Sequence, residues 1–154
     1  MKSLEKYKTI LWDFDGVILD SMKIRSDGFR WVLRNYPKEQ VSDLIDYHES
    51  NGGLSRYVKF SYFFNHIRKE QVEEEKVKEF SEFFSQYMKQ RLIAKDLLIQ
   101  DTLQFLISQA GVKEMHIVSG SDQEELRFLC DKLEVTQFFQ SINGSPTPKS
   151  VLVS

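Results

Sequence analysis

Two short apolar runs in this sequence stop abruptly at small polar residues. Thr9–Trp12 meets Asp13, Phe14, Asp15 and Gly16, and residues 115–118 meet Ser119, Gly120 and Ser121. Runs of four or so apolar residues bounded by turn-forming ones suit buried strands. A third strand is expected at 138–145, after which Pro146 and Pro148 force an extended loop.

Helical patterns fill the spaces between. Residues 21–35 carry Met22, Phe29, Val32 and Leu33 on roughly one face, and Pro37 ends that helix. Gly28 inside it costs about 1 kcal/mol relative to alanine. Asn51, Gly52 and Gly53 break the chain, and two aromatic-rich helical segments follow. In the second of these Val77, Phe80, Phe84, Tyr87 and Met88 recur at helical spacing, while Glu73 to Glu75 face water. Further on, Leu103, Leu106, Ile107 and Ala110 form a stripe closed by Gly111 as a C-terminal cap. A helix then opens with Ser121 and Glu124 spaced as a capping box, and buries Leu126, Leu129, Cys130 and Leu133.

Strand, helical insert, helix, strand, helix, strand is the order of an α/β fold. It implies a Rossmann-like parallel sheet with right-handed crossovers. The expected division is a discontinuous core of residues 1–19 and 93–154, with a helical insert at 20–92. At 154 residues and 41% hydrophobic content, the chain can fill one core and a small appendage. A net charge of −2 with interspersed signs gives no electrostatic footprint for nucleic acid or an anionic membrane. No apolar run approaches the roughly 20 residues that span a bilayer. No signal peptide is legible. The single cysteine, Cys130, forms no internal disulfide, so a cytoplasmic location is expected. His48, His66 and His116 have no metal-ligand spacing.

In open α/β sheets ligands bind beyond the carboxyl ends of the strands. Asp13, Asp15, Ser119 and Lys149 all fall at such ends. A solvated turn would also place acids there, but together the four make a phosphoryl-transfer set. One carboxylate can attack phosphorus, and a second can protonate the leaving oxygen and later take a proton from water. The Ser119 hydroxyl, and the N–H groups of Gly120 and Ser121 at a helix N-terminus, suit phosphate oxygens. The lysine neutralises the transferring group. Carboxylates beside a phosphate call for Mg2+.

"DFDGVILDS" resembles the first motif of the haloacid dehalogenase-like hydrolase superfamily, D-x-D-G-[TV]. "HIVSGS" resembles its second motif, and Lys149 in "GSPTPK", 30 residues after Ser119, resembles its third. The resemblance runs over almost the whole chain, with the insert where the family's helical cap belongs. It implies that Asp13 is the nucleophile and Asp15 the general acid/base. It also implies that Asp13 and the backbone carbonyl of Asp15 hold Mg2+, and that Ser119 and Lys149 bind the phosphoryl group. An acid at the second position of the first motif separates the phosphoryl-transfer members from the dehalogenases. "GGLSR", from Gly53 to Arg56 with Gly52 before it, resembles the specificity loop of β-phosphoglucomutase-like caps. It implies that Arg56 reads a hydroxyl or anionic group on the substrate.

The chain departs from that family in two ways. Its lysine is preceded, not followed, by proline. The family's fourth, acidic motif has no counterpart before Ser154, since the last carboxylate is Glu134. The expectation is a C-terminally truncated member, missing C-terminal core strands, that binds Mg2+ weakly and turns over poorly. Its first strand would have an uncovered edge open to self-association. The expected function is a Mg2+-dependent phosphatase of a small phosphorylated metabolite. The alternatives are a phosphosugar mutase and a non-catalytic phosphate-binding remnant.

Overall fold

Three parallel strands carry every polar strand end to the same edge of one sheet. The computed structural model describes residues 6–153, so residues 1–5 and Ser154 of the expected core lie outside the described residues. The strands are β1 (Thr9–Trp12), β2 (Glu114–Asp122) and β3 (Ser141–Ser145), in the order β1-β2-β3. Ile10 pairs with Met115 and Trp12 with Ile117, and Ile117 pairs with Ile142. These side chains share one face, which Trp12 joins to Phe105 of α5 (Gln100–Gln109) by an edge contact with ring centroids 5.6 Å apart. The opposite face carries Thr9, Leu11, His116 and Ser141 and stays partly open, with Leu11 50% exposed. Among the described residues β1 pairs only with β2 over its length.

Between β1 and α5 lie α1 (Met22–Val32), α2 (Lys38–Ser50), α3 (Arg56–Tyr62) and α4 (Glu74–Arg91). A single π-helical stretch, Phe63–Ile67, continues α3. Phe29, Phe60, Phe63, Phe64 and Phe84 are almost fully buried among these helices, so the aromatic stripe is packing. Gly28 has a steric reason: a Cβ there would lie 2.5 Å from Met88 Cε and 2.9 Å from a Phe84 ring carbon. The helix-propensity cost of that glycine is what lets α1 and α4 approach.

Two local expectations need correction. The first helix ends at Val32, short of residue 35, because the chain turns before Pro37 starts α2. The capping box at Ser121 and Glu124 does not form. β2 runs on through Ser119, Gly120 and Ser121 to Asp122, which pairs irregularly with Ser145 of β3. The cap of α6 (Gln123–Lys132) is therefore Asp122, whose carboxylate accepts from Glu125 N at 3.1 Å. Gly111 does close α5, with φ +77°. The last element, α7 (Lys149–Leu152), starts at the lysine singled out above. Cys130 is buried on α6, and burial pushes its thiol up to about 12.

Candidate active site

Phe14 is fully buried and faces the core, so its neighbours Asp13 and Asp15 are carried past the strand end into different surroundings. Asp13 is 49% exposed; its Oδ1 accepts from Phe14 N at 2.9 Å, and its Oδ2 lies 3.3 Å from Lys149 Nζ. Gly16, at φ +76°, then turns the chain toward the helices.

Asp15 is held on all sides. Its Oδ1 accepts from Ser21 Oγ at 2.5 Å and from Arg25 Nε at 2.6 Å, and its Oδ2 accepts from Ser121 Oγ at 2.7 Å. Ser21 and Arg25 are one helical turn apart at the start of α1, which is why both reach the same carboxylate. The Ser21 hydroxyl is thereby drawn away from capping its helix. Burial raises the pKa of Asp15, but the Arg25 charge and the three hydrogen bonds outweigh it and leave the carboxyl below its ordinary range.

The ion pairs continue inward. Arg25 Nη1 reaches Glu125 Oε2 at 3.1 Å, and Arg56 grips Glu125 with two bonds of 2.9 and 2.6 Å. Glu125 is 0% exposed. Arg56 also donates to Ser85 Oγ at 2.7 Å and lies over the Phe84 ring at 4.5 Å. A chain of charge, Arg56–Glu125–Arg25–Asp15, thus ties α3 and α1 to α6 beneath the acid pair. Arg25 and Glu125 were invisible to pattern reading because each looks like an ordinary charge on an amphipathic helix.

The residues expected to act on, bind or read the substrate divide between two places. Asp15, Gly52, Arg56, Gly120 and Ser121 line a small cavity of about 30 Å3, together with Arg25, His48 and Lys59. Gly53, Gly120 and Lys149 line an open groove of about 620 Å3 on the other side. Gly53 and Gly120 separate them by contact: a Cβ on Gly120 would sit 2.5 Å from the Gly53 carbonyl oxygen. Gly120 and Ser121 lie on the strand end and not at a helix N-terminus, because β2 continues past them. The Ser121 N–H donates to Ser119 Oγ at 3.1 Å, and Ser119 is buried.

Among the described residues no three His, Cys, Asp or Glu side chains converge to hold a metal ion. Asp13 is the acid whose carboxylate faces outward, since that of Asp15 is taken by Ser21, Arg25 and Ser121. A hard cation that keeps several waters and shares a substrate's phosphate oxygens can use such a one-carboxylate foothold. The donor set therefore fits Mg2+ as a part-site completed by substrate.

No curated protein sequence matches this one significantly. Solved structures do match in fold. β-Phosphoglucomutase from Clostridium difficile aligns at a TM-score of 0.72 and 16% identity, over 92% of this chain and 63% of its own. A predicted phosphoglycolate phosphatase from Haemophilus somnus aligns at 0.65 and 14%, over 92% and 64%. The HAD-hydrolase YfnB from Bacillus subtilis, described as bound to magnesium, aligns at 0.63 and 13%, over 90% and 65%. The chain thus spans a little under two thirds of the length of these three structures. The family model described as haloacid dehalogenase-like hydrolase matches residues 10–150, taking in both acids, the β2 terminus and Lys149. By that match, over a fold these structures share, the chain belongs to the haloacid dehalogenase-like hydrolase family.

Proposed function

We propose that this chain is the nucleophile-bearing part of a Mg2+-dependent phosphatase acting on a small phosphorylated metabolite in the cytoplasm. The observation that carries the reading is the Asp13–Lys149 pair, 3.3 Å apart at the parallel strand ends and beside a groove of ligand size. Asp13 attacks phosphorus to form an aspartyl-phosphate, and Lys149 offsets the negative charge of nucleophile and phosphoryl group. Mg2+, held by Asp13 and the Asp15 backbone carbonyl, would supply further charge neutralisation at the phosphoryl oxygens. Ser119, Gly120 and Ser121 border the phosphoryl site from the end of β2.

Asp15 is ionised with both oxygens occupied, so in this arrangement it holds position and delivers no proton. In the proposed cycle it is released from Arg25, gains a proton from solvent, passes that proton to the leaving oxygen, and then takes the proton of the attacking water. The helices of residues 20–92 act as the cap whose movement releases it. A non-catalytic phosphate-binding role is the second reading, favoured by that same locked carboxylate. A mutase of the β-phosphoglucomutase type would return the phosphoryl group to substrate instead of water.

Incubation with p-nitrophenyl phosphate and Mg2+ tests the reading. Slow turnover is expected, below the roughly 1 s⁻¹ at the low end of common enzymes. A hydroxylamine-sensitive phosphoenzyme should accompany it, and both should vanish in Asp13→Asn. Phosphate release that survives Asp13→Asn would overturn the assignment. Vanadate binding without any hydrolysis would select the binding role, and isomer formation from a phosphosugar would select the mutase.

A further inference from the structure

The small cavity beneath Asp15 is richer in hydrogen-bond donors than its neighbours can satisfy. Arg25 Nη2, His48 Nε2 and Arg56 Nε are buried and have no partner among the described residues. All three side chains line the cavity, and each is at most 5% exposed. Lys59 lines it too and is equally buried; its Nζ lies 2.8 Å from His48 Nδ1. An ammonium group only donates, so Nδ1 accepts and the proton of the neutral ring sits on Nε2, which makes that atom a donor with nothing to bind.

The charges do not balance either. Arg25, Arg56 and Lys59 bring three cations, whereas Asp15 and Glu125 bring two carboxylates, both already bonded to the arginines. Lys59 faces a neutral ring. Burial, and then the Arg25 charge, push its amine down to about 8, as befits a cation lacking a counter-ion. Buried charges are ordinarily paired, and buried donors ordinarily bonded.

We propose that this cavity is a subsite for a carboxylate carried by the substrate. Lys59 supplies the counter-charge there, and Arg25 Nη2 and His48 Nε2 supply hydrogen bonds. The substrate clause rests on the phosphatase reading; the anion site itself does not. The size of the space suits a carboxylate. A water-sized group needs about 10–15 Å3 of such space, and the cavity offers about 30 Å3. That is room for about two such groups, the number of oxygens in a carboxylate. One uncompensated positive charge also matches one carboxylate. The preferred substrates are thus phosphomonoesters of small hydroxy acids, not of neutral polyols.

Formate is the probe, titrated into the 154-residue chain and followed by the NMR signals of the His48 ring. The expected result is saturable binding, at least tenfold weaker in Lys59→Met and in Lys59→Gln, with far-UV circular dichroism confirming the fold of each. Neither variant should fail to fold, since each removes a lone buried charge. A wild-type chain whose His48 signals ignore formate would overturn the proposal. So would chloride acting with the same midpoint, or formate binding that survives both substitutions. Inorganic phosphate titrated into wild type and Lys149→Met reports separately on the phosphatase reading. Loss of that reading with formate still bound leaves the carboxylate site standing.

Discussion

His48 shows how far a side chain's role can depart from its appearance in the sequence. It reads as an isolated histidine on a helix, yet it is buried, touches the Phe29 ring at 4.8 Å between centroids, and accepts from Lys59. Burial first, and then the charges of Lys59 and Arg25, push it down to about 3. A histidine held neutral in the folded chain while the unfolded chain protonates near 6.5 gives the unfolded state more protons below that pH. Stability must therefore fall as pH drops from about 6.5 toward 3. Over the upper part of that window ordinary carboxylates are still ionised, so the loss belongs to His48 and approaches about 1.4 kcal/mol per pH unit. Urea unfolding between pH 6.5 and 5 should show this slope in wild type and lose it in His48→Gln, whose amide oxygen can still accept from Lys59. A slope unchanged by the substitution would place the buried proton elsewhere.

At the scale of elements, what was legible was local and what was missed was not. The ends of β1 and β2, the loop before α7 and the aromatic face of α4 each announce themselves within a few residues. Asp13 and Lys149 accordingly meet where strand-end reasoning puts them. The Arg56–Glu125 contact joins residues 69 apart, and no period within α3 or α6 marks it. The Ser121 cap failed for a related reason: pairing of Asp122 with Ser145 of β3 extends the strand past a locally attractive helix start. The α3–α6 tie is reinforced by Tyr57, whose hydroxyl donates to Asp122 at 2.6 Å. Breaking a buried ion pair from one side costs about 3–5 kcal/mol, while replacing both partners with apolar groups costs far less. Arg56→Met and Glu125→Met should each lower unfolding stability, and the double variant should be more stable than the sum of the two losses predicts, by at least about 1 kcal/mol. Additive losses in urea unfolding would mean that α3 and α6 are not coupled through this pair.

For the whole molecule the decisive feature is that, among the described residues, the strand leading into Asp13 lies at the sheet edge. β1 offers one row of backbone groups to solvent, next to a sheet face on which Leu11 is half exposed and close to Tyr7, 61% exposed. Two effects compete there. Four residues make a short edge, and short edges resist pairing. Against this, covering the exposed half of Leu11 contributes about 0.8–1.5 kcal/mol, twice over if two copies meet across the same edge. The apolar term wins at high protein concentration, because each added copy also satisfies the open backbone row. Sedimentation velocity should therefore show concentration-dependent association of the wild-type chain. Leu11→Lys, which puts a charge on that edge without touching Asp13, should abolish it and leave the far-UV spectrum unchanged. Wild-type chain that stays monomeric to millimolar concentration would show that four residues of open strand are too few to recruit a partner.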